Sequence, residues 1–134
     1  MTSSLRGIAL GLLAVALLFA ASLVAVLQNV PGGALLQYIS LVVGGFVAAR
    51  VSANHKLLIS AALALPAIVV VALLTWAWIA AGFPADDVGF EGAVIFGIHA
   101  LPMAAALCLL GGGLGAAVDR WMTPDKSPER TRER

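Results

Sequence analysis

Four long apolar segments fill most of this chain, and they constrain its fold more than any other feature. The segments are Gly7–Leu27, Gly33–Val51, Leu57–Ala81 and Ala93–Val118, and Arg50 is the only Asp, Glu, Lys or Arg within them. A helix needs about 20 apolar residues to cross a hydrocarbon core of ~30 Å. The sequence therefore predicts an all-α polytopic membrane protein with four transmembrane helices.

All of the basic residues lie on one side of these segments. They precede the first, flank the connection between the second and third, and follow the fourth: Arg6, Arg50, Lys56, Arg120, Lys126, Arg130, Arg132 and Arg134. Loops that remain in the cytoplasm are enriched in Lys and Arg. This distribution predicts a multi-pass protein of the cell membrane, a four-helix bundle with both termini in the cytoplasm.

The chain divides into a transmembrane domain, residues 1–120, and a charged tail, residues 121–134. From Thr123 onward the tail has two prolines, alternating charge and no large apolar residue. Such a composition buries too little surface to offset the entropy of ordering, so we expect disorder there. The first apolar segment exceeds the 7–15 residues typical of the apolar region of a signal peptide. We therefore expect it to be retained as a transmembrane helix.

Small residues recur at four-residue spacing in the second and fourth segments. Lipid tails are as apolar as leucine, so close packing of membrane helices depends on small residues that let backbones approach. We expect these two segments to pack closely toward the cytoplasmic side. The predicted packing residues are Gly44, Gly45, Ala48, Ala104, Cys108, Gly112 and Ala116.

Larger polar residues concentrate at the end opposite the cations, which suggests an outward-facing polar pocket. An ionisable residue inside an apolar segment is a functional-site hypothesis, and His99 is the sharpest case. Its position near the outer end of the fourth segment also suits an ordinary interfacial residue. The candidate pocket comprises His99, Gln37, Glu91, Asp86, Asp87 and Thr75.

Several function classes lack support in the sequence. Cys108 is the only cysteine, so an internal disulfide or a multi-thiolate zinc site cannot form. We identify no metal-ligand spacing, no catalytic constellation and no cofactor site, so an enzyme is disfavoured. A net charge of +1 gives no indication of nucleic-acid binding.

The second segment ends Gly44-Gly45-Phe46-Val47-Ala48-Ala49-Arg50. This resembles the GGxxAxR ending of the second helix in small uncharacterised bacterial four-helix membrane proteins. The resemblance covers seven residues and implies the same architecture, without implying an activity. Small multidrug-resistance exporters require a glutamate in their first span, which Gly7–Leu27 lacks, and the polar pore motif of fluoride channels is not found.

Two functional hypotheses remain. The first is a non-enzymatic integral membrane protein that acts through helix packing with itself or with a membrane partner. Small-residue rows and the lack of charge within the spans favour it. The second is a transporter or channel element for an ion or small solute, which would use the outer pocket around His99. A continuous polar path to the cytoplasmic side would favour the second hypothesis, and the sequence offers none.

Overall fold

The computed structural model describes residues 3–33, 35–82 and 90–122, with side chains described outside 90–98. It contains four α-helices: α1, Ser3–Leu27; α2, Leu35–Val51; α3, Lys56–Ala80; and α4, Phe90–Met122. Three helices are long and apolar enough to cross a membrane, namely α1, α3 and the His99–Met122 part of α4. α2 is also apolar but shorter, with 17 residues. The structure therefore supports a helical membrane protein.

The helix bounds differ from the apolar segments mainly at their polar ends. α1 begins at Ser3, before the predicted Gly7, and α4 extends from Phe90 to Met122. α4 thus continues two residues into the segment predicted as a tail, and residues 123–134 lie outside the described residues. Helical hydrogen bonding continues beyond the last apolar residue of a segment. The hydropathy pattern therefore underestimates the length of these helices.

The first connection is closed by a Schellman motif. Asn29 lies in the left-handed region with φ 53°. The amide of Val30 donates to the carbonyl of Ala25 at 2.9 Å, and the amide of Asn29 donates to Val26 at 3.0 Å. These bonds satisfy carbonyls that the end of α1 would otherwise leave unpaired. This turn delays the start of α2 to Leu35, two residues after the predicted start.

Consecutive helices run antiparallel. Gly7, near the start of α1, lies against Ser52, which follows α2. Lys56, at the start of α3, contacts Asp119, near the end of α4. These contacts bring four helix termini together at one end of the molecule, which we call the Asp119 end. Within the described residues α2 and α3 each contact the other three helices, whereas α1 and α4 do not meet.

α1 and α2 meet at glycine. A Cβ atom on Gly11 would lie 2.8 Å from the carbonyl oxygen of Gly44, and one on Gly44 would overlap the side chain of Val15. One turn away, a Cβ atom on Gly7 would lie 2.8 Å from the carbonyl oxygen of Ala48. Each position requires glycine because the opposing group is backbone or a buried side chain that cannot move aside.

α2 and α4 meet in the same way on another face of α2. A Cβ atom on Gly45 would overlap the backbone of Cys108, and one on Gly111 would overlap the carbonyl of Val42. A Cβ atom on Gly115 would lie 3.1 Å from the Phe46 carbonyl oxygen. The two helices therefore touch backbone to backbone over at least one turn.

Ser60 of α3 completes the interior. Its buried hydroxyl lies 3.1 Å from the carbonyl oxygen of Gly45 on α2 and 2.9 Å from that of Lys56 on its own helix. The single hydroxyl proton is thus shared between two acceptors. Gly112 of α4 lies against Ser60 with no space for a Cβ atom. Ser60 therefore joins α2, α3 and α4 at one point.

The expected close approach of the second and fourth helices is present, although with a different set of residues. Gly45 faces α4, but Gly44 faces α1, and Gly112 faces α3. Gly111, which is not among the predicted packing residues, takes the position against α2. Ala48, Ala104 and Cys108 are also buried, while Ala116 is half-buried. Adjacent glycines point about 100° apart on a helix, so neighbouring positions serve different partners.

Gly45→Ala should destabilise the protein, whereas Gly113→Ala should not. A methyl group at Gly45 meets the rigid Cys108 backbone, and overpacking of this kind costs about 1–3 kcal/mol. No atom lies within 4 Å of the Cβ position at Gly113. The measurement is thermal unfolding in detergent, followed by tryptophan fluorescence.

Gly113→Ala is the matched control because it makes the same chemical change on a neighbouring helix. Alanine has a higher helix propensity than glycine, by about 1 kcal/mol, so the melting temperature of Gly113→Ala should be unchanged or raised. Equal melting temperatures for Gly45→Ala and the parent would contradict the backbone contact between α2 and α4.

Candidate functional site

A three-residue ion-pair cluster ties together three helix ends. Arg50, at the end of α2, donates through Nη1 to Oδ1 of Asp119, near the end of α4. Lys56, the first residue of α3, donates through Nζ to Oδ2 of the same carboxylate. The side chains of Arg50, Asp119 and Lys56 are 33%, 27% and 26% exposed. One carboxylate thus holds two cations in a partly shielded position.

The short connection between α2 and α3 brings the two cations together. Only residues 52–55 separate the helices, and His55 adopts a left-handed conformation with φ 53° immediately before α3. At the start of this connection, the hydroxyl of Ser52 donates to the carbonyl of Ala48 at 2.7 Å. The packing of Gly111 and Gly112 then fixes how far α4 extends past this turn. The helix interfaces therefore fix the position of Asp119 along the bundle axis, and at that position it reaches Arg50 and Lys56.

An open groove of about 590 Å³ lies beside the ion-pair cluster, between the start of α3 and the end of α4. The polar residues of its wall are Lys56, Asp119, Arg120 and His55, and the apolar residues are Leu57, Leu58 and Ala116. The groove is thus amphipathic, because its lining combines formal charges with exposed aliphatic carbon.

The charges of this region leave a positive excess. Asp119 offsets one of the two cations that contact it, so the cluster of Arg50, Lys56 and Asp119 carries a net charge of +1. Arg120 adds a second positive charge on the groove wall and forms no ion pair within the described residues. Within the described residues, the groove thus combines Arg120 with a cluster that is itself positively charged.

Three residues predicted for the outer pocket are described, and they do not line the groove at the Asp119 end: Gln37, Thr75 and His99. The hydroxyl of Thr75 donates to the carbonyl of Val71 on its own helix at 2.9 Å, and Gln37 is half-buried. His99 is exposed on α4. Asp86 and Asp87 lie outside the described residues, as does the side chain of Glu91. The outer pocket stays a prediction.

The buried polar side chains serve structure. Ser22, Ser40, Ser52 and Ser60 all donate to backbone carbonyls. Across residues 3–33, 35–82 and 90–122, no group of three or more His, Cys, Asp or Glu residues is placed to hold a metal ion. In the described interior the hydroxyls thus donate to backbone carbonyls, and the described Lys and Arg residues lie at the Asp119 end.

Sequence reasoning did not include Asp119 among the candidate site residues. A signal was present, because Asp119 is the only acidic residue on the cationic side before the tail. It also follows the glycine-rich end of the fourth segment much as Arg50 follows that of the second. Once the helices are taken as antiparallel, Asp119 lies at the same end as Arg50 and Lys56. This placement predicts an ion pair.

The comparisons with known proteins found no relative of this chain. No protein-family model matches the chain, and no curated protein and no solved structure gives a significant match.

Asp119→Asn should lower the melting temperature, because it leaves Arg50 and Lys56 adjacent with no carboxylate between them. Arg50→Gln should have a smaller effect, since Lys56 still balances Asp119. The double variant should lose less than the sum of the two single losses, because both changes affect one cluster. Thermal unfolding at low and at high salt measures these differences, and salt should reduce them.

Arg6→Gln is the control for this series. Arg6 is an exposed cation at the same end of the molecule and forms no ion pair within the described residues. Its removal should leave the melting temperature unchanged. Strictly additive losses in the double variant would show that Arg50 and Asp119 act independently.

Proposed function

We propose that this chain is a four-span integral protein of the cell membrane, with both termini and the Asp119 end in the cytoplasm. Three helices that are long and apolar enough to cross a membrane support this proposal. α2 spans about 25 Å at 1.5 Å per residue, which is short for a membrane helix. Its backbone contacts with α1 and α4 support the proposal that α2 crosses the membrane beside them as part of a bundle.

The proposed role is non-enzymatic, and the protein acts by packing against a second copy of itself or against another membrane protein. One observation carries this role: α4 presents a row of small residues on its outer face, Ala106, Gly113 and Ala117. The two alanines are exposed, and the Cβ position of Gly113 has no atom within 4 Å. Most of the other glycines in the helices are already used in contacts within the chain.

The spacing of this row suits a helix–helix contact. Residues seven and four positions apart fall within about 40° of one another on an α-helix, so the three side chains share a face. Leu110 lies between them and is 56% exposed. A small-residue row of this kind lets a second helix approach closely in lipid, where leucine alone gives no preference for protein over lipid. The resemblance of Gly44–Arg50 to small four-helix membrane proteins supports the proposed four-helix membrane architecture.

Gly113→Leu should disrupt this association while leaving the fold intact. The added side chain points away from the chain, so the melting temperature should stay within the range of the parent. Purification in a mild detergent and measurement of mass by light scattering should show a complex for the parent and a monomer for Gly113→Leu. Leu114→Ala, on an adjacent exposed position, is the control and should retain the complex.

A parent that is monomeric and carries no co-purifying protein would contradict the proposed role. If Gly113→Leu forms the same complex as the parent, the protein associates through a surface other than the small-residue row of α4.

Cysteine labelling tests the orientation. The parent has one cysteine, Cys108, which is fully buried and should not react with a membrane-impermeant maleimide. Ala53→Cys and Val30→Cys each add an exposed thiol, at the Asp119 end and at the opposite end respectively. In intact cells Val30→Cys should be labelled and Ala53→Cys should not, while permeabilisation should expose both. The reverse pattern would overturn the orientation.

A further inference from the structure

We propose that the groove at the Asp119 end binds the headgroup of one anionic phospholipid of the cytoplasmic leaflet. This inference depends on the membrane placement proposed above. The lining of the groove is amphipathic, because it combines Lys56, Arg120 and His55 with Leu57 and Leu58.

Charge selects an anion. The Arg50–Lys56–Asp119 cluster retains one positive charge, and Arg120 contributes a second within the same groove. Lys56 carries three ammonium donors, and within the described residues one of them bonds to Asp119. Cations near the cytoplasmic surface attract anionic lipids, and basic recesses between membrane helices are suited to their headgroups.

The apolar wall selects a phospholipid over a small soluble anion. Leu57 and Leu58 are 52% and 69% exposed, although they directly adjoin the charged residues of the groove. A free phosphate would gain nothing from these side chains. A phospholipid would place its phosphate against Lys56 and Arg120 and its acyl chains along Leu57, Leu58 and the outer faces of α3 and α4.

The position and size of the groove agree with this occupant. Trp121, at the end of α4, is 90% exposed, and tryptophan is enriched at the headgroup level of membranes. The groove volume of about 590 Å³ falls within the range of ordinary ligand sites. At the start of α3, His55 forms no side-chain cap, so amides of the first turn remain available beside the cations.

Native mass spectrometry of the detergent-purified protein tests the proposal with two lipids that share the same chains, dioleoylphosphatidylglycerol and dioleoylphosphatidylcholine. The parent should retain the anionic lipid preferentially. Arg120→Gln should reduce that retention about fivefold, the effect of one elementary charge near the membrane surface. Lys56→Gln gives a second reading if Arg120→Gln lowers the yield of folded protein.

Arg6→Gln is the matched control, since it removes one cation from the same end but outside the groove. It should leave lipid retention unchanged. Equal retention of the two lipids by the parent, or equal losses in Arg6→Gln and Arg120→Gln, would overturn a specific site.

Leu58→Gln and glycerol 1-phosphate separate a lipid from a free phosphate. Leu58→Gln should weaken retention of phosphatidylglycerol, and glycerol 1-phosphate should not compete with it at equal concentration. Unaffected retention in Leu58→Gln, or full competition, would reassign the groove to a soluble phosphate. These outcomes leave the labelling pattern and the mass of the complex unaffected, so failure here is distinct from failure of the proposed membrane role.

Discussion

The direct approach of α2 to both α1 and α4 is the constraint on which the rest of this structure depends. Gly44 on one face and Gly45 on another allow backbone atoms of neighbouring helices to touch. In a membrane, burial of leucine does not distinguish protein from lipid, so such contacts supply much of the preference for the packed state. Ser60 and Asp119 both contact residues of α2, so their positions depend on the register of these contacts.

Polar interactions then make the packing specific. The hydroxyl of Ser60 on α3 contacts the Gly45 carbonyl on α2, and Gly112 allows α4 to pack against the same serine. The Asp119 carboxylate reaches Arg50 and Lys56 only because α2, α3 and α4 end at matching heights. Small residues thus permit the approach, and a few hydrogen bonds and ion pairs determine which register is retained.

The sequence predicted the helical class and the position of each helix because apolar length and the gaps between apolar runs are local properties. It predicted that the second and fourth helices approach near Gly44–Ala49 and Gly112–Ala116, and in the structure Gly45 makes this contact while Gly44 faces α1 and Gly112 faces α3. In a run of adjacent glycines and alanines, composition does not reveal which residue faces which neighbour. Asp119 was missed for a related reason, since its partners lie 63 and 69 residues away in sequence.

Arg50 and Lys56 have two separate roles in the proposed orientation. As basic residues in a short connection they favour its retention in the cytoplasm, and as ion-pair partners they fix the end of α4. These roles are compatible because acidic residues contribute little to orientation, so Asp119 can pair with both cations without cancelling their effect on topology. The same pairing leaves one positive charge over, beside Arg120 and the exposed leucines of α3. In the proposed orientation, Arg50 and Lys56 thus favour a cytoplasmic position of this end and hold the end of α4 in place. The same end also has the positive charge and the exposed leucines to bind an anionic headgroup.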